Sequence, residues 1–338
     1  MNKEKKTIEN SIDDYNNTIH AIVGFINFYR YDTEKKEYKE DIKVFQGRKL
    51  NISDTPDKFL TPDIGILLPT NCGVIGEVKN NFPKDKSYWL KNFTQLMSYD
   101  NDLIGWTSVD EKIRTHDIVL LLHHSRSREV LNYFLNNKGK EINFIKPFII
   151  IEYTRSDQRQ AYIFFRKEYG NLSDNNINEL LEKGEQVPMW VFLKEYSTIK
   201  IYDSEPELAF MLHLIWTYVV SMKASDNPRF KTLAKNQKIE VKIKIDEVMT
   251  ELYEGYSFYR FHRENLERQP KIPKLEWIKR ACEKFISLNE AKWDDNSKQS
   301  VTFYFKKYDD TLSYFIEKCS DDVQNKEQLE LFSDIEDK

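Results

Sequence analysis

Two acidic residues and a lysine stand together in an otherwise apolar stretch. Pro62-Asp63 opens the run Ile64-Gly-Ile-Leu-Leu-Pro69. A turn through Thr70-Asn71-Cys72-Gly73 follows, and a second run, Val74-Ile-Gly, leads into Glu77-Val78-Lys79. Charges beside a core need partners or a metal, because an unpaired buried charge is costly. Carboxylate oxygens are the ligands that Mg²⁺ or Mn²⁺ take, and the Val78 carbonyl offers a third oxygen. A cation held this way polarises a phosphate and acidifies its bound water, while a nearby lysine orients that water or neutralises developing charge. Hydrolysis of a phosphodiester bond is the chemistry that wants this set. Asp63, Glu77 and Lys79 are the expected catalytic residues, with Asp63, Glu77 and the Val78 carbonyl as metal ligands.

The elements that must position these groups are legible around them. Two apolar runs about a Pro/Asn/Gly turn predict a β-hairpin. Side chains alternate along a strand, so Glu77 and Lys79 share a face. With the turn centred near residues 70–71, Asp63 falls roughly opposite Val78. Tyr88, Trp89, Phe93, Leu96, Met97 and Tyr99 make a helical stripe over 86–103. Ile118 to Leu122 is a continuous apolar run, expected as a buried central strand. Further strands are expected at 42–50, 147–154, 160–166 and within Val187–Tyr202. Helices are expected over 7–31 and Glu207–Met222.

The pattern Pro62-Asp63, thirteen intervening residues, then Glu77-Val78-Lys79 resembles the PD-(D/E)xK nuclease superfamily. The next helix carries Gln95-Leu-Met-Ser-Tyr99, similar to the Q-x-x-x-Y signature of the RecB-like branch. Gln95 and Tyr99 are four residues apart and share one helix face. The resemblance implies a restriction-endonuclease-like core, α/β with a mixed central sheet flanked by helices. It implies a Mg²⁺- or Mn²⁺-dependent deoxyribonuclease in which Gln95 and Tyr99 help place DNA and the metal ligands. It covers about residues 5–200 as architecture but only 62–99 as motif. The iron–sulfur cysteines of some RecB-like nucleases are absent from the sequence. The site residue that this branch often carries on its first helix is read first as His20, with Glu9, Asp13 and Asp14 remaining open. Restriction or anti-phage defence is the expected setting by analogy.

E-x-K alone carries nothing in so charged a chain. It recurs at Glu34-Lys35-Lys36, Glu37-Tyr38-Lys39 and Glu240-Val241-Lys242. The last lies on an alternating stretch, Lys238–Ile245, but lacks a Pro-Asp strand across a short hairpin and a Q-x-x-x-Y helix.

The rest of the sequence bounds the reading. The 338 residues, 40% hydrophobic and 14% aromatic, hold ample core material. A net charge of −4 excludes coating nucleic acid through bulk positive charge but leaves room for a local basic surface. The longest apolar run, Leu208 to Val220, is short for a bilayer span and is interrupted by His213 and Thr217. The first residues lack an apolar secretory core. Cys72, Cys282 and Cys319 are far apart and form no zinc or disulfide pattern, so a reducing cytoplasm is expected. No G-x-x-x-x-G-K-[ST] occurs.

Residues 1–224 are expected to form the nuclease-like domain and 225–320 a smaller, winged-helix-like module, with 321–338 an acidic tail. The module rests on a helical face from Leu275 to Ile286 followed by Val301-Thr-Phe-Tyr-Phe305. His123-His124-Ser125-Arg126-Ser127-Arg128 reads either as phosphate contacts at a cleft rim or as a polar strand exit. Arg155, Arg159 and Arg166 read as a groove lining or as solvated edge charges. Tyr256–Arg263 mixes aromatics and bases in a way that suits stacking or a core-facing helix, while His213 and Cys282 read as core groups. DNA is the expected partner, with a homodimer or a second defence protein open and no membrane contact. The alternatives are a catalytically silent nuclease-fold subunit that binds DNA or an assembly, and a regulator built on the C-terminal module.

Overall fold

The computed structural model describes residues 3–321, except 33–34, 36, 40, 46–48, 54, 81, 83–85, 107–112, 157–161, 190–203, 235–236 and 255–272. Contacts divide the chain into two units. One holds the described residues of Asn16–Ile199, and the other those of Met1–Tyr15, Lys200–Ser257 and Ile272–Lys338.

In the first unit the apolar stripe Ile19, Ile22, Val23, Ile26 belongs to α1 (Lys3–Arg30). A two-stranded ribbon, β1 (Tyr31–Asp32) with β2 (Glu37–Tyr38), follows it. Then come β3 (Lys43–Phe45), β4 (Leu50–Ile52), β5 (Thr55–Leu60), β6 (Ile64–Leu67) and β7 (Cys72–Lys79). Next are α2 (Ser87–Ser98), β8 (Leu103–Ile104), β9 (Thr115–His123) and α3 (His124–Asn137). β10 (Phe148–Ser156), β11 (Tyr162–Gly170), α4 (Asn175–Lys183) and β12 (Glu185–Pro188) complete it.

Seven of these strands form one mixed sheet in the order β12-β11-β10-β9-β7-β6-β3. β9 runs parallel to both β7 and β10, while β6–β7 and β10–β11 are antiparallel. β9 is buried along its interior on both faces, which is why its Ile118–Leu122 stretch is continuously apolar rather than alternating. One face carries Ile75, Glu77, Leu120, Leu122 and Ile150 and packs against Trp89, Phe93 and Leu96 of α2 and Val130 and Phe134 of α3. The other carries Gly76, Val78, Tyr153 and Phe165; there Phe25 of α1 meets Phe165 at 5.6 Å between ring centroids. A separate three-stranded sheet, β5-β4-β8, was not legible in the sequence. Its outer strand holds Pro56, which an edge position tolerates.

The second unit contains α5 (Leu208–Ile215), a π-helical turn (Trp216–Val220), α6 (Ser221–Ser225), β13 (Ile239–Lys244), α7 (Ile245–Glu254), α8 (Leu275–Ser287), β14 (Ala291–Trp293) and β15 (Ser300–Phe305). Residues 311–321 are helical. The antiparallel sheet is ordered β13-β15-β14. Among the described residues from Leu208 on, the order along the chain is a helical run, strand, helix, helix, strand, strand, helix.

A domain boundary at 224/225 is not where the contacts divide the chain. Leu208–Ser225 is apolar on nearly every side and finds cover among Val241, Ile243, Phe285, Phe303 and Phe315 of the C-terminal elements. That helical run is also longer than the sequence suggests. At 18 residues it is long and apolar enough to cross a membrane by composition, but 56% of it is buried inside the protein as a core helix. The fold class is mixed α/β, a mixed sheet flanked by helices.

Candidate functional site

The hairpin β6–β7 brings the charged residues together. Leu68 and Cys72 close its turn, with the Leu68 amide donating to the Cys72 carbonyl at 2.9 Å and Asn71 in the left-handed region at φ 59°. Pairing runs from Leu67↔Gly73 to Ile64↔Gly76. Extended by one residue, this register sets Asp63 opposite Glu77, one position from the expected Val78. Gly76 is required here, since a Cβ would lie 2.8 Å from the Val119 carbonyl oxygen of β9.

Beyond Ile64 the first strand ends, and the Asp63 carboxylate takes its place. The Val78 amide donates to Asp63 Oδ2 at 3.0 Å. On an extended strand the N–H and C=O of one residue leave by the same edge. Val78 therefore presents its carbonyl oxygen on the side where Asp63 stands. Glu77 is 2% exposed yet carries a carboxylate. Its two oxygens are met by two donors, Lys79 Nζ on Oε2 at 2.9 Å and the Tyr99 hydroxyl on Oε1. Without them the buried charge would be prohibitive.

Helix α2 supplies the second donor. Trp89, Phe93 and Leu96 bury one face of it against the sheet, and Tyr99 is its C-cap residue. Burial, the charge of Glu77, the bond to it and the charge of Asp63 push the Tyr99 phenol far above its ordinary range. A side-chain bond from Gln95 works the other way. Tyr99 is thus a permanent donor to Glu77, and Gln95 donates to the phenol oxygen. The chain of contacts runs Gln95, Tyr99, Glu77, Lys79, with Asp63 alongside at Val78.

One positioning residue escaped the sequence reading. His116, on β9 and 2% exposed, lies 2.7 Å through Nε2 from the Tyr99 carbonyl oxygen. A carbonyl only accepts, so Nε2 carries the proton. Burial holds the imidazole neutral, with its pKa lowered to about 4. His116 thereby ties the end of α2 to the central strand and fixes where the Tyr99 phenol reaches. A lone His in a Thr-His-Asp strand start gives no pattern that announces this.

The donor set suits a hard cation: two carboxylates and a backbone oxygen, with no soft ligand. Each carboxylate oxygen has two lone pairs, so the bonds from Lys79 and Tyr99 leave Glu77 able to accept more. Among the described residues no three His, Cys, Asp or Glu side chains converge as a metal-holding group. A cation here would have to complete its shell with water, as Mg²⁺ does by preference.

His20 sits elsewhere. Its Nδ1 accepts from Arg155 Nη1 at 2.9 Å, and Arg155 faces the α1 side of the sheet, opposite Glu77 and Lys79. Burial first and the Arg155 guanidinium second lower its pKa to about 3. With Nδ1 engaged and the proton on Nε2, His20 is committed to Arg155 rather than to the carboxylates. Glu9, Asp13 and Asp14 lie on the half of α1 that belongs to the other unit.

Arg166 is bound to Glu152 and Glu168, and Arg126 to Glu129. His123 ends β9 and residues 124–128 open α3, so this polar stretch leaves the strand directly into a helix. The competing Glu240 and Lys242 occupy the exposed face of β13. Cys282 is buried, which pushes its thiol up to about 12, and His213 is a half-buried residue of the core helix α5. Arg159 and Tyr256–Arg263 lie outside the described residues, as does most of Val187–Tyr202. No family model, curated protein or solved structure matches the chain.

Proposed function

We propose that the first unit is a metal-dependent deoxyribonuclease, an endonuclease of restriction or anti-phage defence, with a restriction-endonuclease-like core in the sense of the PD-(D/E)xK superfamily. The observation that carries this reading is the set at the open end of the β6–β7 hairpin. Glu77 is shared between Lys79 and Tyr99, and Asp63 stands on the neighbouring edge at Val78. Parallel β7, β9 and β10 with α2 across one face agree with that core. The chain order of the second unit agrees with a winged-helix-like module.

Asp63, Glu77 and the Val78 carbonyl would hold the Mg²⁺ or Mn²⁺. When bound, the cation supplies charge for the phosphate oxygens and a water of lowered pKa. The chain's own residues do the rest. Asp63 and Glu77 would hold the cation at the open end of the hairpin, which limits where a phosphate could approach. Lys79, one strand step from Glu77, offers its ammonium to the attacking water or to the developing negative charge. Tyr99 keeps the Glu77 carboxylate in one orientation, and Gln95 keeps the phenol aimed at it. The helix faces on both sides of the sheet exclude water from behind.

Supercoiled plasmid incubated with the purified chain in Mg²⁺, Mn²⁺ or EDTA tests the proposal. Nicking or linearisation in metal, absent in EDTA and in Lys79→Ala, supports it. Folded wild type that leaves plasmid intact in both metals refutes it. A second reading, a silent nuclease-fold subunit, draws on the small number of converging ligands. It predicts DNA binding that Asp63→Ala and Lys79→Ala leave intact.

A further inference from the structure

The second unit presents a basic face that the hydrolytic site does not use. β13 alternates strictly: Ile239, Val241 and Ile243 are buried, while Glu240, Lys242 and Lys244 are exposed. In the register of the sheet, Thr302 of β15 lies between Lys242 on one side and Lys292 of β14 on the other. Lys244 stands opposite Ser300, and Glu240 opposite Tyr304. The result is a set of lysines from β13 and β14 flanking β15 on one surface. The Lys242 side chain is 68% exposed and the Lys238 side chain 44%. Tyr304 lies among them, its ring 5.6 Å from both Lys238 and Lys292.

The acids on this face are partly spent inside it. Asp294 accepts from Thr302 at 2.6 Å and Ser300 at 2.8 Å, and lies 3.4 Å from Lys242. Glu290 is buried beneath Lys306, Tyr308 and Tyr314 and also pairs with Lys238 at 3.7 Å, so that lysine is partly neutralised. Exposed Glu240 is left against Lys242, Lys244 and Lys292. Helix α8 makes the weaker surface, because its Arg280 is tied to Glu205 and its Glu283 to Lys298.

We infer that the outer face of the β13-β15-β14 sheet is a docking surface for duplex DNA, held through its phosphates and not its bases. The residue types decide this. The strands carry lysines and no arginine, and lysine meets phosphate as a flexible point charge without arginine's rigid planar fork. Phosphate contacts position a protein on the duplex without specifying sequence. A tyrosine between lysines adds a hydroxyl and a flat surface for the sugar–phosphate chain. The inference rests on DNA being the substrate of the first unit and adds where that substrate is held.

The test uses the full chain with Lys79→Ala, in EDTA, so that binding is read without cleavage. Anisotropy of a labelled duplex is followed from low to high salt. Wild-type surface and the triple replacement Lys242→Gln, Lys244→Gln, Lys292→Gln are compared, with Lys279→Gln on α8 as control. The expected result is at least a tenfold loss of affinity at low salt in the triple variant. Its log–log salt slope falls by nearly one for each lysine removed, and the control is unchanged. Unchanged affinity and slope in a triple variant that melts like wild type would overturn the inference, as would an equal effect per charge in the control. A double variant, Lys242→Gln with Lys292→Gln, answers the same question if the triple one does not fold. Tight salt-dependent binding without plasmid cleavage in metal sinks the nuclease reading and leaves this one standing. Cleavage with an unaffected triple variant does the reverse.

Discussion

The phenol of Tyr99 donates to the buried carboxylate of Glu77 across 22 positions of sequence. That contact couples the end of α2 to the motif strand, so the helix is part of the site rather than a cover over it. Tyr99→Phe removes the donor and keeps the ring. A hydrogen bond to a charged group is worth about 1.5–3 kcal/mol, and the urea midpoint is expected to fall accordingly with the m-value unchanged. Plasmid nicking should fall by about tenfold or more, since each 1.4 kcal/mol of misplacement is a factor of ten. Full activity in Tyr99→Phe would show that Glu77 is oriented by something else.

Lys79 separates chemistry from folding. Its side chain is 22% exposed, against 3% for that of Glu77, so the pair is only half withdrawn from water. Lys79→Ala should cost about 1–2 kcal/mol, well short of the loss when a fully buried pair is broken. Cleavage should fall by at least about a hundredfold, the range lost with a group that moves or steadies a proton. The check is to measure both in one preparation. A variant that melts like wild type and still cuts would remove Lys79 from the mechanism.

Much of this site could be read from the chain because its information is local. A hairpin with a short Pro/Asn/Gly turn carries its register in its own length, and the i, i+4 spacing of Gln95 and Tyr99 places both on one face. The register slip of one residue at Asp63 arose because the turn type, with Asn71 left-handed, is not fixed by composition. What could not be read depends on pairings distant in sequence. His116 acquires its role only when β9 lies beneath the end of α2. His20 has the right residue type on the right helix, but its fate is set by Arg155, 135 residues away. The β5-β4-β8 sheet and α3 were missed because a proline in one and a His/Ser/Arg start in the other mask the pattern. The polar stretch Lys223–Gln237 suggests the boundary expected at 224/225, whereas the helix before it has its apolar surface committed to Val241, Ile243, Phe285 and Phe303 beyond it.

Metal should stabilise the fold through the same residues. A ligand that binds only the native state adds RT ln(1 + [L]/Kd), about 2.7 kcal/mol at a hundred times Kd. Mg²⁺ titrated into the wild type is expected to raise the melting temperature in a saturable way. Asp63→Ala should abolish the rise, because it deletes one of the two carboxylates while leaving the Glu77 contacts with Lys79 and Tyr99 in place. An identical metal-induced shift in Asp63→Ala would place the cation elsewhere.

Acid should act through His116 before it acts on the carboxylates. The unfolded imidazole titrates near 6.5, whereas the folded one, neutral by burial, does so at about 4. Between those values the unfolded chain binds a proton that the native chain refuses, so stability rises with pH across this window. It is fully present above about 6.5 and is lost progressively as pH falls toward about 4, by about 3 kcal/mol in all at 1.36 kcal/mol per unit. His20, lowered to about 3, adds a loss of the same sign that continues further into acid. His116→Gln can still donate to the Tyr99 carbonyl but cannot titrate. Its urea midpoint should therefore fall less between pH 7 and pH 5 than that of wild type, while its activity at pH 7 stays near wild type. Equal acid sensitivity in the two proteins would mean that the folded His116 titrates as it does in the unfolded chain, and that burial does not hold it neutral.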